Sequence, residues 1–373
     1  MKTTHATQPA DTHTTGYEHM IVEVDESASA TADGLADGLV EGLIVEGNRG
    51  RYRVETPGGD LLCVIRGKLR KELTYAESAQ ARKGVKRVKV NEHDPVAVGD
   101  RVRARPLGAG EGVIEEIVAR AGASFTRKDP DVGRHTLTTI AGLGQMILVF
   151  AAREPAPHLR LLDRFLAVAE AQEVAAVICL NKADQGVEPW LEQRLAIYRA
   201  LGYPVIQTSA TTGAGVGELR ARLGGRVSAL LGPSGVGKSS LLNALEPGLS
   251  LRIGAVSEAT SRGRHTTTGA LLVPLANAAG GYLADTAGIR TLGLDGLLGD
   301  AARLAWLFRE FRPHLGACRH ADCRHLSEPG CAVRAALAAG ELDAERYDSY
   351  RRLCGVDTSP GERDNEEEWN GSD

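Results

Sequence analysis

The chain has 373 residues, of which 43% are hydrophobic, 25% charged and 4% aromatic. At ~150 residues per domain this length predicts two or three domains, with the balance of a soluble globular chain and cores built from Leu, Val, Ile and Ala. No apolar run approaches the ~20 residues of a membrane helix, the first residues lack the apolar segment of a secretory signal, and six cysteines are too few for a disulfide scaffold, so a cytoplasmic chain with no membrane partner is expected.

The net charge of −4 conceals an asymmetry. Residues 1–38 hold seven acidic and one basic residue, a net of −6, and residues 357–373 hold the same. The remaining body therefore carries +8, which favours a polyanionic partner. Both acidic ends are poor in periodic apolar residues and read as disordered tails.

Residues 39–120 read as short strands separated by turns. Apolar or alternating stretches at 43–45, 51–55, 61–65, 101–104 and 113–118 are broken by Asn48-Arg49-Gly50, Pro57-Gly58-Gly59 and Val98-Gly99-Asp100. Five short strands in this length predict a small β-barrel of the oligonucleotide-binding (OB) type. Between Arg66 and Lys89 lie nine Lys or Arg against two Glu. In a candidate nucleic-acid fold this run predicts contact with an RNA backbone, whereas an isolated charge run reads as a solvated loop.

From 121 to 300 strands and helices alternate. Strands are predicted at 146–150, 174–180, 205–208, 227–231 and 282–284, and helices at 159–172, 190–201, 216–223 and 238–245. This pattern predicts an α/β domain with a mostly parallel sheet. Residues 301–356 predict a helix over 301–311, a Cys/His segment, and helices near 332–339 and 343–353.

Four motifs in the α/β region carry chemistry. Gly232-Pro233-Ser234-Gly235-Val236-Gly237-Lys238-Ser239 follows a predicted strand and opens a predicted helix, the context of a phosphate-binding P-loop. Its backbone N–H groups and helix N-terminus suit phosphate oxygens. Lys238 can reach the β- and γ-phosphates, and Ser239 can ligate Mg²⁺. Asn181-Lys182-Ala183-Asp184 follows another strand. The Asp184 carboxylate can accept two hydrogen bonds from guanine N1–H and N2–H₂, a donor pair that adenine lacks. Asn181 can tie the base to neighbouring loops, and Lys182 can lay its stem along the base. Thr208-Ser209-Ala210 follows the next strand, where the Ala210 N–H could meet guanine O6. Asp285-Thr286-Ala287-Gly288 suits Mg²⁺ held through water at Asp285 and the γ-phosphate at the Gly288 N–H. Between the last motif and the P-loop lies Arg262-Gly263-Arg264-His265-Thr266-Thr267-Thr268, from which Thr267 is taken to complete the Mg²⁺ shell.

The order of the motifs is unusual. Ordinary GTPases begin with the P-loop and end with the base-reading motifs, whereas here the base-reading motifs come first. The order predicts circular permutation, which keeps the spatial site and relocates the chain ends. Ile289 follows Gly288, where many GTPases carry a Gln that orients the attacking water. Slow intrinsic hydrolysis is therefore expected, with His265 the nearest candidate in sequence to position water. Cys318, Cys323 and Cys331, with His325 or His320 as the fourth ligand, offer a closed set for structural zinc. Cys63, Cys179 and Cys354 read as small apolar residues.

On these motifs residues 39–356 resemble the RsgA family, also called YjeQ or EngC, the circularly permuted GTPases of small-ribosomal-subunit biogenesis. The family's nucleotide motifs look like Asn181–Asp184, Gly232–Ser240 (so that Ser240 joins the site), the stretch around Thr267, and Asp285–Gly288. The resemblance implies an OB-fold barrel over 39–120, a permuted GTPase domain over 121–300 and a helical zinc domain over 301–356. Its zinc pattern favours His325 over His320, with one Zn²⁺ per chain. It further implies slow hydrolysis of GTP to GDP with Mg²⁺, stimulation by the small (30S) subunit, contact with that subunit's rRNA late in maturation, and a monomeric chain. The family often has Pro at the position of Ala287, and an Ala-Ala-Asn segment where this chain has Ala141-Gly142-Leu143. Two other readings stand beside this one: a GTP-regulated RNA-binding module with little turnover, which Ile289 favours, and an ATP-using P-loop enzyme, which Asp184 opposes.

Overall fold

The computed structural model describes residues 38–48, 50–67, 96–118, 123–128, 136–250, 271–276, 278, 280–284 and 301–356. The tails expected at 1–38 and 357–373 lie outside these residues except for Gly38, as does the basic stretch beyond Gly67.

Five strands close into a barrel: β1 (Val40–Asn48), β2 (Arg51–Thr56), β3 (Gly59–Ile65), β4 (Arg101–Gly108) and β5 (Glu111–Ile117), in the order β1-β2-β3-β5-β4. Alternation along β2, β4 and β5 turns every second side chain inward. Ile44, Val54, Cys63, Val102, Ala104 and Ile114 thus form a closed apolar interior. Burial pushes the Cys63 thiol up to about 11, in keeping with an inert apolar residue. The barrel is stitched to a second sheet through its backbone: Glu46 bridges to Leu271, and Ala141 N donates to Val98 O at 2.8 Å.

That sheet contains β6 (Ala123–Lys128), β7 (Thr136–Ala151), β8 (Ala175–Asn181), β9 (Val205–Gln207), β10 (Val227–Leu231), β11 (Leu272–Leu275) and β12 (Gly281–Ala284), with the path β11-β12-β10-β7-β8-β9. β12, β10, β7, β8 and β9 run parallel, β11 is an antiparallel edge, and β6 pairs antiparallel with the first half of β7. The strand expected at 146–150 is only the end of the 16-residue β7. β6 and β11 were not expected, because they are short and gain their strand character from pairing. The run from Met146 to Ala152 is buried throughout, as a central parallel strand requires.

Helices cover both faces. Met146, Leu148 and Phe150 pack with α1 (Leu159–Ala171) and α2 (Pro189–Ala200), whereas Ile147, Val149 and Ala151 pack with α3 (Val216–Leu223) and α4 (Lys238–Leu245). Along the chain β7, β8 and β9 step to one side, and β10 then returns to the other flank of β7. The sheet's topological switch point therefore lies between β7 and β10, where open α/β sheets bind ligands.

The C-terminal segment comprises α5 (Ala301–Trp306), a 3₁₀ turn (Arg309–His314), the Cys/His segment, α6 (Ala332–Ala338) and α7 (Ala344–Leu353). The helix expected over 301–311 is broken at Phe308, whose backbone is extended. The break brings Phe308 and Phe311 together at 5.2 Å and sets both edge-on to Tyr350. This core is aromatic, contrary to the composition-based expectation, because the chain concentrates its few rings here.

Polar contacts dock this segment on α1 and α2. The guanidinium of Arg346 is 1% exposed and donates to Asp163 at 2.6 Å and to Glu310 at 2.7 and 3.0 Å. Asp163 also accepts from Tyr198 at 2.8 Å and Ser349 at 2.6 Å. Burial pulls the Arg346 pKa down, but the two carboxylates outweigh it and raise the pKa well above the ordinary arginine value. Arg194 of α2 pairs with Asp343, and Arg309 and Arg312 both grip Glu170 of α1. Replacing Arg346 with Met should strand two buried carboxylates and cost about 3–5 kcal/mol. A lowered urea midpoint for the near-ultraviolet signal of the Tyr347/Tyr350 cluster checks this; an unchanged midpoint refutes it.

Candidate functional site

The loops after β8, β9 and β10 emerge at one edge of the sheet, because these strands run parallel. Asn181 closes β8 and is 1% exposed. Its carboxamide Nδ2 donates to Val236 O at 3.0 Å and Gly237 O at 3.5 Å, and its Oδ1 accepts from Thr208 Oγ1 at 3.2 Å and Ala210 N at 3.3 Å. One side chain therefore joins the P-loop to the Thr208–Ala210 loop. Glycine at 237 is obligatory here: its φ is +87°, and a Cβ would lie 2.6 Å from Asn181 Nδ2. The same holds for Gly232, where a Cβ would meet Val149 O of β7 at 2.1 Å.

The P-loop wraps into the start of α4. Val236 is buried against that helix, whereas Ser234, Gly235, Ser239 and Ser240 are exposed and Pro233 half-buried. Lys238 Nζ lies across the loop, donating to Gly232 O and Pro233 O at 2.7 Å each. The first-turn N–H groups of α4 have no acceptor within the helix, the ordinary basis of anion binding at such a terminus.

Lys182 adopts a left-handed backbone (φ 59°) and leads into a 3₁₀ turn over Ala183–Gln185. Ala183 N donates to Thr208 O at 3.0 Å, fastening this turn to the β9 loop. Asp184 is exposed on the turn. Ser209 closes its own loop, donating from its N to Ala214 O at 2.9 Å and accepting from Thr212 N at 3.1 Å. The Ala210 N–H, considered above for guanine O6, points to Asn181 Oδ1 in this structure. Cys179, beneath this loop, is fully enclosed, and burial pushes its thiol up to about 12.

The connection from β7 to α1 also reaches the site, which the sequence did not reveal. Lys182 Nζ donates to the Glu154 carbonyl, Pro155 Cδ lies 3.5 Å from where a Gly235 Cβ would stand, and Arg153 pairs with Glu188. The only signal for these residues was their place after a strand at the switch point. β12 ends at Ala284, one residue before Asp285. His265, Thr267, Asp285, Gly288 and Ile289 lie outside the described residues.

A second cluster lies in the C-terminal segment. The ligand atoms of Cys318, Cys323, His325 and Cys331 all fall within 4.8 Å of one another. Cys318 Sγ is 3.5 Å from His325 Nδ1 and 4.0 Å from Cys331 Sγ, and Cys331 Sγ is 3.4 Å from His325 Nδ1. A tetrahedral ion with bonds of ~2.3 Å to sulfur and ~2.0–2.1 Å to nitrogen separates sulfurs by about 3.8 Å and sulfur from nitrogen by about 3.6 Å. The donor set therefore fits a metal ion; His320 is not part of it. Ala332 N donates to Cys318 Sγ and Arg334 N to Cys331 Sγ, an environment suited to thiolates. Burial holds the His325 imidazole below its ordinary pKa, in its ligating neutral form. Its left-handed backbone (φ 61°) is secured by Tyr347, whose hydroxyl donates to His325 O at 2.6 Å. The loop is braced by Glu328. Burial raises its pKa, but backbone N–H groups, including those of Arg324, Leu326 and Ser327, outweigh this and bring it to about 2.

A P-loop joined through Asn181 to the Asn181–Asp184 turn, with the P-loop strand following that turn's strand in the chain, has the motif order of a circularly permuted GTPase. The RsgA GTPase family model matches residues 121–295. The small ribosomal subunit biogenesis GTPase RsgA of Gemmatimonas aurantiaca is 46% identical over 314 residues, spanning 83% of this chain and 95% of that protein. That of Moorella thermoacetica is 42% identical over 301 residues, spanning 81% and 91%. Crystalline YjeQ from Thermotoga maritima matches with a TM-score of 0.64 at 31% identity, covering 85% of this chain and 98% of its own. YloQ, described as a circularly permuted GTPase, matches with a TM-score of 0.60 at 26% identity, covering 85% and 95%. The chain belongs to the RsgA family and is a GTPase.

Because the metal cluster anchors the start of α6 and, through Tyr347, a turn of α7, metal removal should loosen this segment selectively. Chelation, or Cys323→Ala, should abolish the bound metal and raise hydrogen exchange over 316–353 while exchange of β7 and β8 stays unchanged. Undiminished protection of α6 in metal-free protein refutes the assignment.

Proposed function

We propose that the chain is a slow GTPase that contacts the rRNA of the small ribosomal subunit, is stimulated by that subunit and acts late in its maturation. The carrying observation is the joining of the P-loop to the Asn181–Asp184 turn through Asn181, in a chain whose relatives bear a ribosomal-subunit biogenesis name. The domain division is an OB-fold over 39–120, the permuted GTPase over 121–300 and a zinc domain over 301–356, between acidic tails. A monomeric cytoplasmic chain accords with this role; among the described residues no helix is long and apolar enough to cross a membrane.

In this reading the P-loop N–H groups and Lys238 hold the β- and γ-phosphates, and Asp184 reads guanine. Lys182 lines the base, Ser209 and Ala210 close its edge, and Gly288 meets the γ-phosphate. Ser239, Thr267 and Asp285 hold Mg²⁺, with Ser240 beside them; the ion neutralises phosphate charge when bound. His265 positions the attacking water in place of the absent Gln. Three cysteines and one histidine select structural zinc at the C-terminal cluster. The alternative, an RNA-binding module with little turnover, is favoured by Ile289; multiple-turnover phosphate release with and without small subunits separates the two.

Asp184→Asn should weaken GTP binding by about 2–3 kcal/mol, the scale of hydrogen bonds to charged groups, and improve xanthosine nucleotide binding. Nucleotide competition checks this, and an unchanged GTP-over-ATP preference refutes it. Neutralising Arg82, Lys83, Lys86 and Arg87 together should weaken co-sedimentation with small subunits, most at high salt, without altering intrinsic hydrolysis. Full stimulation in this variant would return the stretch to a solvated loop. His265→Ala should lower subunit-stimulated turnover by roughly 10²-fold, the contribution of one positioned catalytic group, and leave nucleotide affinity intact. Normal stimulated turnover would assign water positioning to another group.

A further inference from the structure

The connection from β7 to α1 carries none of the nucleotide motifs, yet it touches three parts of the site. Its start is fixed beside Asn181, since Ala152 N donates to Asn181 O at 2.9 Å. Arg153 pairs with Glu188, the residue that precedes α2 and ends the loop carrying Asp184. The Glu154 carbonyl accepts from Lys182 Nζ. The Pro155 ring lies against Gly235 of the P-loop, its Cδ 3.5 Å from where a Cβ on that glycine would stand.

These contacts fix the course of one side chain. Lys182 leaves a left-handed backbone (φ 59°), and its Cε lies 3.7 Å from where a Cβ on Gly237 would stand. Its ammonium then reaches the Glu154 carbonyl. The stem therefore runs beside the P-loop with both ends held. An unanchored lysine samples many rotamers, and a ligand that packs on it must order it at the moment of binding. Four P-loop carbonyls are already engaged: those of Gly232 and Pro233 by Lys238 Nζ, and those of Val236 and Gly237 by Asn181 Nδ2. Glu154 offers Lys182 an acceptor outside the P-loop, so its ammonium competes with neither. Pro155 suits this task, because its ring restricts the backbone next to the Glu154 carbonyl.

We infer that Arg153, Glu154 and Pro155 are positioning residues for nucleotide binding: they hold Lys182 extended beside the P-loop, so that its stem is ordered before a base packs on it. The inference rests on the reading of Lys182 as the residue that lines the base. It gives the Asn181–Asp184 turn a support outside its own motif, at the end of the central strand of the sheet. The support acts at the base and not at the γ-phosphate, so it serves GTP and GDP alike.

The test measures GTP and GDP affinity of the full chain by equilibrium titration. Pro155→Gly, which frees the backbone beside the Glu154 carbonyl, should weaken both nucleotides by the same factor, roughly three- to tenfold, the cost of ordering one long side chain. Arg153→Ala should weaken both by roughly threefold, the scale of an exposed ion pair. The swap Arg153→Glu with Glu188→Arg should restore the parent affinity. In steady-state hydrolysis KM should rise by the same factors with kcat unchanged, the sign of binding lost equally from ground and transition states. Lys182→Met keeps a stem and removes the ammonium. In that background Pro155→Gly and Arg153→Ala should have no further effect, an outcome that general loosening of the loop would not give. Parental affinity in both variants, equal losses with and without the Lys182 ammonium, or a charge swap that fails to restore binding overturns the inference. Parental GTP binding in both Lys182→Met and Asp184→Asn would overturn the base-reading turn and the inference with it. A weakened Lys182→Met beside parental Pro155→Gly and Arg153→Ala would overturn the support alone.

Discussion

The carboxamide of Asn181 is the contact on which the joining of the P-loop to the β8 and β9 loops depends. Permutation places the proposed base-reading motifs at 181–184 and 208–210 and the P-loop at 232–240, so the proposed site must be assembled from separate strands. Asn181 does this with donors on the P-loop and an acceptor for the β9 loop, and both functions of its amide are used. In a buried setting a satisfied amide specifies one arrangement, because each partner would otherwise be left without a hydrogen bond. Gly237 follows from this constraint, since any Cβ there would displace the amide. The parallel sheet supplies the rest by delivering every loop to the same edge.

The C-terminal segment is held by a different kind of contact. Arg346 bridges α7, α1 and the 3₁₀ turn through two carboxylates, and Arg194 ties α2 to Asp343. The Cys/His cluster is therefore mechanically continuous with α1 and α2, the helices that follow β7 and β8. Along the chain, the segment after Gly288 joins the GTPase domain to the Cys/His cluster. The structure provides a second connection, through α1 and α2, that does not use that segment. The barrel, in turn, is bonded to Leu271 at the start of β11 and to the base of β7. Its Glu55 meets Tyr282 of β12, where burial and then that carboxylate push the phenol up. The barrel thus bears on the strands β7 and β12 and the edge before β11, and the C-terminal segment on α1 and α2.

What could be read from the sequence was whatever short-range spacing enforces. The P-loop must be contiguous to cradle a phosphate, the Asn181–Asp184 turn must follow its strand, and three cysteines within 14 residues can close around one ion. Alternation in β2, β4 and β5 made the barrel legible, and the apolar run 146–152 marked the central strand. By contrast, β6 and β11 carry little pattern of their own and exist through their pairing partners. The 301–311 region reads as one helix by periodicity, yet packing of Phe308 and Phe311 on Tyr350 rewards a break.

Residue types at fixed spacing along the chain therefore carried the chemistry proposed for this protein: a P-loop for phosphate, a carboxylate for guanine and a Cys₃His donor set. Tertiary structure alone decided which distant groups share an environment. Arg346 sits in a strongly polar helix and reads as a solvated charge, but Asp163, 183 residues earlier, meets it in the interior. Glu154 and Pro155 read as a loop, and only the parallel packing of β7 beside β10 brings them to the P-loop. The reason is physical. Local motifs are fixed by covalent geometry over a few residues, whereas burial of a charge beside its partner is a property of interiors that form only when separate segments pack together.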